Sequence, residues 1–159
     1  MPKTISKQTW DDLFKKASVL KPEIQEWKDA MNKLTEEALT PQEAKDVYLV
    51  APIGTRQNGA AYRIWLSTCD EEFLKIKTAH EAMELFPLVP RGSAIQKRIA
   101  SRWFELAEDF FHARKLYLVD GISALLRQKA DDKQRRIAEE AGLSMIQAVS
   151  ELYLKQSPA

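Results

Sequence analysis

The sequence predicts an all-α protein, a single-domain bundle of six or seven helices. Apolar residues recur at alternating spacings of three and four, which is the period of one helix face. The 159 residues include only 5 glycines and 7 prolines, and such a composition disfavours disorder and turn-rich β folds. Helix start signals also recur, with a hydroxyl residue placed before proline or an acidic residue.

The first 50 residues predict three helices. The first begins near Trp10 with Thr9 as its cap, and it ends before Pro22 because the residue preceding proline avoids helical geometry. The second starts at Pro22. The third has Thr40 as its cap, with proline and an acidic residue in the first turn, and it runs to about Val50. The second helix carries one continuous apolar face: Ile24, Trp27, Met31, Leu34 and Ala38.

The segment after the third helix has two readings. Residues 52–59 are predicted to form a loop. Residues 60–66 fit a helix face through Ala61, Ile64 and Trp65, but they also alternate like a strand. The alternative to a helix is therefore a small β-hairpin around residues 47–66, in which residues 47–50 pair with residues 62–66.

The second half of the chain predicts further helices. One runs from Asp70, capped by Thr68 or Cys69, to about Phe86. Two short helices, at about 132–141 and 144–156, are separated by Gly142, which closes the first, and by Ser144, which caps the second. No internal repeat is evident at a constant period. The strongest pattern in the chain predicts a six-turn helix through Ile95, Ile99, Trp103, Leu106, Phe110, Ala113 and Tyr117.

Residues 88–93 read Leu-Val-Pro-Arg-Gly-Ser, which matches a thrombin recognition site with its scissile bond between Arg91 and Gly92. A chance match to six specified residues is rare, so the segment is interpreted as an engineered, exposed linker. It either replaces a native loop or joins two chains, residues 1–87 and 94–159. The predicted single domain thus covers residues 1–159, interrupted by this linker.

Charge and cysteine content restrict the partners and the compartment. The formal net charge is +1, which gives no global signature of polyanion binding. The single cysteine, Cys69, excludes an internal disulfide. The sequence begins without an apolar leader and holds no apolar run near the ~20 residues that span a bilayer. A cytoplasmic protein that does not enter membranes is expected.

The sequence contains no pattern that indicates catalysis, a cofactor or a metal. The glycines Gly54 and Gly59 have phosphate-loop spacing, but alanines follow where that loop needs Lys and Ser or Thr. His80 lies on an apolar stripe and is predicted to be a partly buried structural residue. His112 is predicted to lie at the boundary or in solvent. Cys69 stands beside three carboxylates, so a buried, inert thiol is predicted. The protein is therefore predicted not to be an enzyme.

Residues 132–156 carry the one local pattern that points to a particular ligand. They resemble the first half of a DNA-binding helix-turn-helix, with a small residue in the first helix and Gly142 four positions later. The second helix departs from the motif, because its apolar residues fall one position late. A plain helical hairpin with a glycine cap explains the pattern better. The candidate nucleic-acid contacts are Lys133, Arg135, Arg136 and Gln147.

By elimination, the sequence favours a non-enzymatic helical interaction protein: an adaptor, an assembly subunit or a chaperone-like partner. Its expected partner is another protein or a second copy of itself. The alternative is a DNA-binding regulatory protein that uses residues 132–156.

Overall fold

A computed structural model describes residues 4–156, and these fold into nine α-helices without a strand. The all-α prediction is confirmed, whereas the count of six or seven helices is wrong. The β-hairpin alternative is also wrong, because residues 47–66 belong to the end of α3, a turn and the start of α4. The helices are α1 (Lys7–Val19), α2 (Gln25–Glu37), α3 (Pro41–Val50), α4 (Arg56–Leu74), α5 (Ala79–Leu85), α6 (Ala94–Leu106), α7 (Phe110–Leu118), α8 (Ala124–Glu140) and α9 (Met145–Ala148).

The described chain divides into two compact units. The first contains α1 to α4 and the short segment Leu88–Pro90, and the second contains α5 to α9. That the two units share one core across residues 88–93 stays a prediction.

In the first unit, consecutive helices pack as pairs, α1 with α2 and α3 with α4, and α2 also packs on α4. The predicted apolar face of α2 lies in the core through Trp27, Met31 and Leu34, which are fully buried. The Trp27 indole N–H donates to the Ala17 carbonyl at 3.0 Å, so this buried polar group is satisfied. Ile24 departs from the prediction and stays largely exposed.

In the second unit, α5 pairs with α6 and α7 pairs with α8, while α7 also packs on α5 and α6. Phe86 and Pro87, the first two residues of a short 3₁₀ helix (Phe86–Leu88), follow α5, and a π-helical segment, Val149–Tyr153, follows α9. Phe110 of α7 is buried with Ala138 of α8 and Ala148 of α9. This cluster fixes α9 against α7 and α8.

The predicted six-turn helix is wrong, because the chain breaks between α6 and α7. Ala107 is extended, with φ −70° and ψ 111°, and the Asp109 carboxylate accepts a hydrogen bond from the His112 backbone N–H at 2.8 Å. An aspartate that accepts this bond caps a new helix. The predicted helix start at Asp70 is also wrong, since Cys69 and Asp70 lie inside α4.

Eight of the nine described helices, all except α2, start in the same way. A short polar side chain at the N-cap accepts a hydrogen bond from the backbone N–H three residues later, which satisfies one free donor of the first turn. The predicted caps Thr40 and Ser144 are confirmed, whereas α1 is capped by Ser6 and not by Thr9. The pairs of cap and donor are Ser6 and Thr9, Thr40 and Glu43, Thr55 and Asn58, Thr78 and Glu81, Ser93 and Gln96, Asp109 and His112, Ser123 and Leu126, and Ser144 and Gln147.

The helix pairs resemble one another in sequence, but no single period covers the described chain, because the caps Ser6, Thr40, Thr78, Asp109 and Ser144 lie 34, 38, 31 and 35 residues apart. Trp27, Trp65 and Trp103 lie at a constant interval of 38 residues. All three are buried, and each lies in the second helix of a pair: α2, α4 and α6. An interval of 38 residues also separates the caps Thr40 and Thr78, whereas the neighbouring cap intervals, from Ser6 to Thr40 and from Thr78 to Asp109, are 34 and 31 residues. Six residues of the α3–α4 pair and its turn are identical to the residues 38 positions later in the α5–α6 pair and its turn. Thr40, Glu43, Ala44, Pro52, Gly54 and Trp65 match Thr78, Glu81, Ala82, Pro90, Gly92 and Trp103.

The resemblance between helix pairs gives residues 88–93 a structural role. They correspond to the turn between α3 and α4, and the glycines at the two equivalent positions, Gly54 and Gly92, have φ of +93° and +78°. The segment is exposed only in part: Val89 is 4% exposed and Pro90 is buried, whereas Arg91 and Gly92, at the predicted scissile bond, are exposed. That it is an engineered linker stays a prediction. Ser93 caps α6. A native turn therefore explains the segment as well as an engineered linker does.

Candidate functional site

The second unit contains an apolar groove with a volume of about 730 Å³. Residues of α5, the 3₁₀ helix, α6, α7 and the π-helical segment line it. Its size lies in the range typical of ligand sites. Its apolar walls are formed by Met83, Phe86, Trp103, Phe111, Leu118 and Tyr153.

The π-helical segment places Tyr153 at the end of this groove. The Leu154 backbone N–H donates to the Val149 carbonyl at 2.9 Å, five residues back. This wider turn is rare and is often found at functional sites. The Tyr153 ring lies 5.6 Å from the Phe111 ring, centroid to centroid. The two rings make an aromatic wall to which α7 and the π-helical segment each contribute.

Lys115 lies on α7 beside that wall. Its ammonium is 5.5 Å from the centroids of both Phe111 and Tyr153, a distance at which a cation is attracted to an aromatic ring. Arg114 lies 5.3 Å from the Tyr153 centroid. Among residues 4–156 Lys115 forms neither a hydrogen bond nor an ion pair. Its positive charge is therefore available to a ligand.

His112 differs from its equivalents in two other helix pairs. In α3 and α5 this position is a glutamate, whose carboxylate accepts a hydrogen bond from the backbone just before the cap, as Glu81 does from Lys77. His112 instead places Nδ1 2.9 Å from both carboxylate oxygens of Asp109. A carboxylate only accepts, so Nδ1 carries the proton in the neutral ring. Nε2 is buried without a hydrogen-bond partner in the described chain.

The two histidines, His80 and His112, lie next to each other in the groove lining. Their rings are 5.8 Å apart in an edge-to-face arrangement. The prediction that His80 is partly buried is wrong, because it is exposed and its Nε2 lies 2.9 Å from the Glu84 carboxylate. His112 lies at the boundary, as predicted. Within residues 4–156 no group of three or more potential ligand side chains is arranged to hold a metal ion.

The candidate nucleic-acid residues are placed on α8 and α9, and most are engaged by the protein itself. Lys133 donates to the Phe104 carbonyl, and burial, with Arg136 nearby, lowers its pKa. Arg135 lies 3.1 Å from the Asp131 carboxylate. Gln147 completes a capping box, since its side-chain oxygen accepts from the Ser144 N–H at 2.9 Å. Nucleic-acid binding stays a prediction.

A second cavity, of about 510 Å³, surrounds Lys133 and Arg136. Its polar wall includes Glu105, Glu108 and Glu140. Three carboxylates beside two cations repel a phosphate backbone. This cavity therefore offers little support for the predicted nucleic-acid interface.

Cys69 is fully buried in α4, as predicted. Burial raises the pKa of its thiol to about 12, and the neighbouring Asp70 adds to the rise. A thiol that stays protonated is a poor nucleophile.

Comparisons with protein-family models, curated proteins and solved structures find no match to this chain. None of the described helices is both long enough and apolar enough to cross a bilayer.

Proposed function

We propose that the protein is a non-enzymatic interaction protein whose groove in the second unit holds a segment of a partner polypeptide. The observation that carries the proposal is the groove itself. The groove runs across α5 and α7, which are the first helices of two successive helix pairs. Proteins built from stacked helix pairs commonly bind their partners on such a surface. Its walls combine exposed apolar area with few polar groups, a composition typical of binding sites.

Leu118 offers the sharpest test of this surface. It lines the groove and is 48% exposed, so a charge placed there disturbs binding without being buried in the core. Leu125 is a matched control, because it is 67% exposed on the same unit and lies outside the groove. The two variants are Leu118→Glu and Leu125→Glu.

The experiment selects binders from a random peptide library against the full chain. Peptides that bind the wild-type protein should lose binding to Leu118→Glu and keep it with Leu125→Glu, with equal helical content in both variants by circular dichroism. A photoreactive group placed at position 118 should cross-link to the bound peptide. Failure to select any peptide, or equal binding to both variants, contradicts the proposal.

A further inference from the structure

Two nitrogen-bearing side chains on α7, Lys115 and His112, each present to the groove lining a polar group without a hydrogen-bond partner in the described chain. The Lys115 ammonium contacts only aromatic rings, and the His112 Nε2 atom is buried without a hydrogen bond. An unsatisfied buried polar atom costs free energy, so a ligand that supplies the missing partner gains affinity. These two atoms therefore indicate part of the polar chemistry of the ligand.

The Lys115 ammonium and the His112 Nε2 atom bind different chemical groups. An ammonium over aromatic rings is complemented by a carboxylate. In the neutral His112 ring the proton lies on Nδ1, facing Asp109, so Nε2 accepts a hydrogen bond from an N–H or O–H donor. A polypeptide supplies both, since its backbone carries N–H donors and its acidic side chains carry carboxylates. A simple fatty acid supplies only the carboxylate.

The charges around the groove agree with this chemistry. None of the lining residues is acidic. The nearby carboxylates of Glu84 and Asp109 are each held by a histidine at 2.9 Å. Lys115 therefore meets an incoming carboxylate without an acidic competitor on the groove wall.

We propose that the groove recognises a polypeptide segment in which an acidic residue adjoins an aromatic or aliphatic anchor. The anchor lies on the Phe111–Tyr153 wall, the carboxylate pairs with Lys115, and a peptide N–H donates to His112 Nε2. This inference rests on the proposed function and names the class of partner.

The peptides selected on the full chain test it directly. They should be enriched in Asp or Glu next to an aromatic or aliphatic residue, relative to the starting library. Lys115→Gln should weaken their binding about tenfold, as expected for loss of a charge-assisted hydrogen bond. Lys129→Gln, at an exposed lysine of α8 outside the groove, should leave binding unchanged.

The His112→Phe variant tests the second contact, because it keeps the ring and removes the acceptor. Its affinity for the selected peptides should fall several-fold, while circular dichroism stays unchanged. Competition with decanoate separates a peptide from a small apolar acid: decanoate should displace the peptides weakly. Strong displacement by decanoate, or full binding by His112→Phe, overturns the assignment of a peptide N–H.

The two proposals fail in different ways. Selected peptides that lack acidic residues and bind Lys115→Gln normally overturn this inference, yet they leave the groove as a peptide site if Leu118→Glu abolishes binding. Peptide binding that is unchanged in Leu118→Glu overturns both the proposed function and this inference.

Discussion

At the scale of the residue, Cys69 shows how burial determines reactivity. The thiol is enclosed in α4 and its pKa is raised to about 12 from an ordinary value of 9.0. At pH 8 the native protein therefore carries almost no thiolate, and thiolate is the reactive form. We predict that Ellman's reagent does not label the native protein at pH 8 and labels one thiol after denaturation in urea.

The same shift has a consequence for stability. Between about pH 9 and 12 the unfolded chain releases the Cys69 proton and the folded chain keeps it, so the unfolded state binds fewer protons and stability falls as the pH rises. Cys69→Ser should lessen this decline in urea titrations made at pH 8 and pH 10. Rapid labelling of the native thiol at pH 8 would contradict its burial.

Single residues also mark where sequence reasoning succeeded. The buried face of α2 and the buried thiol of Cys69 follow from spacing and neighbours, which are local properties. The pairing of His80 with His112 does not follow, because 32 residues separate them and only the packing of α5 on α7 brings their rings together. The unpaired Nε2 of His112 was equally hidden, since it depends on a hydrogen bond made by Nδ1.

At the scale of the element, Asp109 decides where one helix ends and another begins. The apolar spacing runs unbroken from α6 into α7, so periodicity alone predicts one helix. The cap provided by Asp109 lies within that pattern, and its hydrogen bond to the His112 N–H at 2.8 Å starts α7. A short polar residue inside an apolar stripe was the overlooked signal.

We predict that Asp109→Ala destabilises the protein by about 1 kcal/mol, the usual effect of losing an N-cap. Asp109→Asn keeps a side-chain oxygen that accepts the same bond and should be nearly neutral. Asp120→Ala is the control, because Asp120 is exposed in the turn after α7. Urea unfolding measures all three. An unchanged midpoint for Asp109→Ala would mean that the cap contributes nothing.

At the scale of the whole molecule, the resemblance between helix pairs explains features that seemed unrelated in the sequence. Three of the four tryptophans occupy one position of the helix pair, and residues 88–93 occupy the position of the turn between α3 and α4. The resemblance escaped sequence analysis because no single interval relates all the helix pairs and because the match to a protease site suggested an insertion. The N-cap hydrogen bonds at the starts of α3, α5 and α7 occupy equivalent positions, so they relate helix pairs whose sequences differ.

The two explanations of residues 88–93 predict opposite behaviour toward thrombin. A protease binds several residues in extended form around the scissile bond, so a folded site must open before it is cut. Here Val89 and Pro90 are buried, and the Gly92 N–H donates to the Gln96 side chain at 2.8 Å. We predict that thrombin leaves the native chain intact under conditions that fully cleave a synthetic peptide of residues 84–97.

Cleavage should appear only as urea unfolds the chain, and its rate should follow the unfolded fraction measured by circular dichroism. Arg91→Ala is the control, because it should remain uncut in urea as well and so assign the cut to the bond between Arg91 and Gly92. Rapid cleavage of the native protein would instead mean that the turn is open in solution. In that case the engineered linker would be the better explanation, and the correspondence of Pro90 and Gly92 with Pro52 and Gly54 would have to be coincidence.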